Sequence, residues 1–135
     1  MTNFVNLTPH AINIYAPGGN MERKDLCDTL EELTLTLGAF RCHLPGNRKK
    51  LQKAQETACD LADTLAVQTE NAPPKGKKEQ TAWTKSLYRA VDALGNAMNW
   101  LGDDTHVRIC LKEAHLDVAW VYDTVRRREP TTTLI

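Results

Sequence analysis

EQTAWTKSLYRAVDALGNAMNWLGDDTHVRICLKEAHLDVAWVYDTVRRR (79–128) decides the fold of this chain. Its apolar residues fall at Trp83, Leu87, Ala90, Leu94, Ala97 and Leu101, then at Val107, Leu111, Ala114, Val118, Val121 and Val125. Alternating steps of three and four place each set on one side of an α-helix. Only Gly102-Asp103-Asp104-Thr105-His106 separates the two runs, so the helices turn back on each other and share one seam. Such a seam has to be covered, and the preceding residues have the pattern to cover it.

Upstream, Leu26, Leu30, Leu33, Leu37 and Phe40 predict a first helix over about Glu22 to Cys42, with Asn20 as its cap. Thr34-Leu35-Thr36-Leu37 alternates as a strand would, but helical spacing on both sides keeps it helical, weakened by Gly38. Leu44-Pro45-Gly46 ends that helix, and Asn47 caps a second that runs to about Thr69 with Leu51, Ala54, Ala58, Leu61 and Leu65 inward. Asn71 to Lys78 reads as a solvated linker. The third helix then covers Glu79 to Leu101, and the fourth, capped by Asp104 or Thr105, covers His106 to Arg128. Glu129-Pro130 stops it. The fold expected is all-α: an up-down-up-down four-helix bundle over 21–130, an extended arm over 1–20 and a frayed tail over 131–135. In the arm, Phe4, Val5, Leu7, Ile12, Ile14 and Tyr15 are too apolar to stand in water alone, so the arm is expected to pack on the bundle or on a second subunit.

Lysine plus arginine and aspartate plus glutamate number 17 each, so no overall charge draws the chain toward nucleic acid or membrane. Cysteines at 27, 42, 59 and 110 show no paired spacing and read as reduced thiols, and with no signal peptide or spanning segment recognised the expected location is the cytoplasm.

Several groups of residues could carry function. On the fourth helix Ile109, Leu116 and Trp120 fall opposite the core stripe, and Leu35 with Ala39 and Cys42 does the same on the first. A helix apolar on two faces is sandwiched, which predicts a homo-oligomer with Ile109, Leu116, Trp120 and Leu35 at the interface. Bundle direction gathers Lys75, Lys77, Lys78, Arg126, Arg127 and Arg128 at the end where the arm and its His10 emerge. That end could hold an anion, with Lys77, Lys78, Arg126, Arg127, Arg128 and His10 as ligand-binding residues; equally, the arginines could complement the negative end of the last helix dipole. The opposite end collects Cys42, His43, His106 and Cys110, which read as ordinary turn residues rather than a zinc site; no metal or cofactor is expected. No phosphate loop, dinucleotide fingerprint or nucleophile elbow is present. His115 reads as a boundary residue, and Trp100 with Asn96, Asn99 and Arg89 forms a polar-aromatic flank.

Asp28-x-x-Glu31 and Asp60-x-x-Asp63 fall at about the same height on the first two helices and read as a solvated acidic face. The pair resembles the acidic motifs of all-helical nucleotide pyrophosphohydrolases, with aspartate where that family has glutamate at three of the four positions; the resemblance implies magnesium-dependent nucleotide turnover. Asn6-Leu7-Thr8-Pro9-His10, leading into the apolar Ile12-Asn13-Ile14, resembles the opening of many small bacteriophage proteins. Arg108, the stripe through Trp120 and the basic end before Pro130 resemble the closing hairpin of phage anti-CBASS and anti-Thoeris sponge proteins, small helical oligomers that sequester nucleotide signals. These resemblances imply a non-enzymatic phage anti-defence protein acting in the host cytoplasm, with a nucleotide-type small molecule as its ligand. The alternative partner is a host defence protein, blocked in an anti-CRISPR-like manner through Ile109, Leu116 and Trp120.

Overall fold

The computed structural model describes residues 23–43 and 47–134, and these form four helices: α1 (Arg23–Cys42), α2 (Arg48–Glu70), α3 (Pro74–Asn99) and α4 (Asp104–Leu134). Among the described residues there is no strand. The architecture is the all-α four-helix bundle expected from periodicity. Every residue assigned inward on α1 and α2 is buried, from Leu26 to Phe40 and from Leu51 to Leu65. The two sets on α3 and α4 are buried as well, except that Leu101 is only partly covered beside the core. The arm over 1–20, with His10, lies outside the described residues.

The four seams of the bundle are unequal. α2 packs most extensively on α3, α3 on α4 and α4 on α1, which leaves α1 against α2 as the sparsest seam. Trp83, without exposed surface, fills the α3–α4 layer, and its indole N–H donates to Thr124 Oγ1 at 2.9 Å. That hydroxyl in turn donates to the Trp120 carbonyl at 2.9 Å, so the buried indole is tied to the α4 backbone. Among the described residues no helix is long and apolar enough to cross a membrane.

Three boundaries differ from expectation. The lysine-rich stretch read as linker is largely the first turn of α3: Pro74 occupies the first helical position, and Gly76 and Lys77 both donate their N–H to the Pro73 carbonyl at 2.9 Å. Proline at that position has no N–H to leave orphaned and has its φ already set, so it opens a helix instead of excluding one. At the other end α4 continues through Pro130 to Leu134. A proline removes one main-chain hydrogen bond but does not force an ending at the last turns, where the following residues keep theirs. The cap of α4 is Asp103, not Asp104 or Thr105: its Oδ1 accepts from the His106 N–H at 3.2 Å, which holds the Asp103 carboxyl below its usual range. Asn47 caps α2 as expected, accepting from the Lys49 N–H at 2.8 Å.

Candidate functional site

Along the outer face of α3 and α4 runs a shallow groove made of two adjoining concavities of about 330 and 420 Å³ that share Arg89 and Asp117. Its floor is Ala82, Ser86 and Ala93, small residues that let the two helices approach. On α4 its wall is Leu116 and Trp120, 53% and 44% exposed, with Ile109 a further two turns along the same stripe at 53%. Lys85 and Arg89 rim one half, whereas Asp92, Asn96 and Glu113 rim the other. Inside the groove Arg89 Nε lies 3.5 Å from Asp117 Oδ1, and the buried Ser86 hydroxyl donates to the Asp117 carbonyl at 3.1 Å. Three of the four apolar residues expected at an interface thus belong to one helix stripe beside one groove. Leu35, 68% exposed, stands on α1 and lines neither concavity.

Periodicity exposed the apolar wall, and the polar-aromatic flank held Arg89 and Asn96, but Lys85, Asp92 and Glu113 were not singled out. Lys85, Arg89, Asp92 and Asn96 recur at steps of four, three and four, a second stripe on α3 that the same helical arithmetic would have found.

The basic end is less open to a ligand. Arg126 and Arg127 both reach Asp123, at 3.5 and 3.0 Å, and the Arg126 guanidinium lies over the Tyr122 ring at 5.4 Å. Lys77 and Lys78 are exposed on the first turn of α3, where no acid offsets the positive end of the helix dipole. His10 and the Arg128 side chain lie outside the described residues. A second basic run, Arg48-Lys49-Lys50, opens α2 at the other end of the bundle, with Arg48 Nη2 donating to the Met98 carbonyl at 3.1 Å.

The remaining candidates are dispersed. His106 binds the Asp103 carboxylate at 2.9 Å and stacks on Trp100 with ring centroids 4.0 Å apart, while Cys110 is buried and Cys42 and His43 are exposed. Asp63 turns toward α3, accepting hydrogen bonds from the Tyr88 hydroxyl and, at 3.7 Å, from the Cys59 thiol. Partial burial and that carboxylate push the Cys59 thiol up, and burial with the neighbouring acids raises Asp60. Asp28 and Glu31 are exposed on α1, and among the described residues no three His, Cys, Asp or Glu side chains converge to hold a metal ion. A concavity of about 320 Å³ follows the sparse α1–α2 seam, with Lys50, Lys53 and Glu32 at its rim and Leu33 and Ala54 beneath. His115 sits between α4 and α1: Arg41 Nη1 donates to its Nδ1 at 2.9 Å, so Nδ1 must accept and the ring is neutral with its proton on Nε2. No protein-family model, no curated protein and no solved structure matches this chain.

Proposed function

We propose that this is a non-enzymatic binding protein that counters a host defence by seating a defence protein on its α3–α4 face. The observation that carries the reading is the exposure of Leu116 and Trp120 on one stripe, beside a groove rimmed with both signs of charge. An exposed tryptophan flanked by an aliphatic residue is the kind of anchor that dominates protein interfaces, and a charged rim sets the register of the partner. The phage attribution rests on the resemblance carried by Asn6 to His10. The test is plaque formation by a defence-sensitive phage on cells that carry the defence system and express this chain. Plating is expected to be restored by the native chain and lost with Trp120→Ala, whose cost at an anchor position is about 2 kcal/mol, or roughly 30-fold in affinity. Restoration that survives Trp120→Ala and Leu116→Ala but disappears on removal of Arg126 and Arg127 would refute this site.

A second reading keeps the groove and changes the occupant. Trp120 shares its concavity with Lys85 and with the Arg89–Asp117 pair, which offers a base-stacking surface next to the Lys85 cation for a nucleotide-type signal. Calorimetry with cyclic dinucleotides and ADP-ribose derivatives separates the two: saturable heat that vanishes in Lys85→Ala selects sequestration of the small molecule.

A further inference from the structure

The charges around the α3–α4 groove are ordered along it. Lys85 and Arg89 lie toward the Trp120 end, and Asp92 and Glu113 lie about one to two helical turns away toward the Ile109 end. Arg89 is already engaged by Asp117, which leaves Lys85 as the cation at one extreme and Asp92 with Glu113 as the acids at the other. Leu116 sits between them. A surface that is positive at one end, apolar in the middle and negative at the other is complementary to itself when turned end for end.

We infer that the α3–α4 face is closed by a second copy of this chain, related by a two-fold axis that crosses the groove at the level of Arg89 and Leu116. Each α3 then lies antiparallel on its counterpart, with Lys85 of one copy facing Asp92 of the other, and Leu116 meets Leu116 at the axis. This arrangement is isologous, so it closes at two copies and leaves no sticky end. Size agrees: with Lys85 opposite Asp92 the two copies of α3 overlap over 78–99, about 33 Å, and a face two helices or about 20 Å wide then offers about 660 Å² per copy. That lies within the roughly 600 to 1,000 Å² that standard stable interfaces bury on each side. It also buries Trp120 and Leu116, two of the large apolar groups that the single chain leaves in water.

The inference uses the same face as the proposed function and names its resting occupant: a captured defence protein has to displace the second copy. The two can fail separately, because self-association is read on the purified chain alone. Light scattering after size exclusion is expected to give about twice the 15.2 kDa chain mass at tens of micromolar, and Leu116→Glu is expected to return it to a single chain with unchanged helical circular dichroism. The decisive experiment is a charge swap. Lys85→Glu with Arg89→Glu makes the groove acidic at both ends, and Asp92→Lys with Glu113→Lys makes it basic at both ends, with Asp117 unchanged between them. Each variant is expected to be monomeric alone, and an equimolar mixture is expected to form the mixed dimer in native mass spectrometry. A monomeric native chain at 100 micromolar, a dimer that survives Leu116→Glu, or a mixture that stays monomeric would each overturn the inference. A dimer that forms as described while phage plating is unaffected by Trp120→Ala would keep the self-association and remove this face as the seat of the defence protein.

Discussion

Gln80 has no exposed surface, yet its amide nitrogen finds no acceptor among the described residues, and the Gln68 amide oxygen nearby in the sequence register of α2 and α3 finds no donor. The Thr69 hydroxyl lies 3.2 Å from the Gln80 oxygen, but its single proton is held more closely by the Leu65 carbonyl at 2.6 Å, so the amide is weakly paired at its oxygen and unpaired at its nitrogen. A buried polar group without a partner costs the folded state its desolvation, whereas an apolar group of similar shape does not. Gln80→Met is therefore expected to raise the unfolding free energy by about 1 kcal/mol, read as a higher urea midpoint at unchanged slope. His115 gives a pH dependence of defined sign. Burial and the adjacent Arg41 charge hold its pKa below the ordinary 6.5, so on acidification the unfolded chain takes up this proton before the folded one. Stability is thus fully present above about pH 6.5 and declines as the pH falls toward the depressed folded value. Urea titrations at pH 7.5 and pH 5.5 should show that decline in the native chain and a smaller one in His115→Gln. Neither effect was legible in the sequence, since a polar residue at a helical position shows its spacing but not which of its atoms will be matched across the core.

The apolar stripes placed all four helices because burial dominates their choice, and a run of spaced leucines has few other uses. The helix ends were set by single hydrogen bonds that periodicity does not encode: the Asp103 carboxylate on the His106 N–H, and the Pro73 carbonyl shared by Gly76 and Lys77. Two glycines affect their helices in opposite directions. A Cβ at Gly38, inside α1, would meet His115 Nε2 at 3.6 Å, an ordinary contact, so Gly38→Ala should gain the helix propensity difference of about 0.8 kcal/mol. Gly102, in the α3–α4 turn, has φ of +103°, a conformation that alanine adopts only with strain, so Gly102→Ala should cost about 1 kcal/mol. Thermal melts of the two variants are expected to move in opposite directions.

Seen as a molecule, the bundle is unevenly fastened. α3 is covered on both flanks by α2 and α4, while α1 is held mainly by α4 and only lightly by α2. Local opening follows such differences, because the free energy of exposing an element scales with the packed surface it gives up. Hydrogen exchange followed by mass spectrometry is expected to protect the middle of α3 longest and to release α1 amides first among the four helices. The groove described on α3 and α4 thus sits on the best-anchored part of the chain, where a docking surface keeps its shape. The apolar half of that surface could be read from Leu116 and Trp120 alone, but its charged half needed α3 and α4 placed side by side, because Lys85 and Glu113 belong to different helices.

The three tryptophans occupy three unlike surroundings: Trp83 in the dry interior, Trp100 lying flat on the His106 imidazole at 4.0 Å, and Trp120 beside the open groove. Each therefore emits light under its own control. Trp83 shifts to the red when the interior floods, Trp100 responds when the stacked imidazole moves away as the α3–α4 turn opens, and Trp120 changes colour when its face is covered. With two of the three replaced by phenylalanine in turn, the chain becomes its own label-free optical probe of unfolding, of the packing of one turn, or of occupancy of one face.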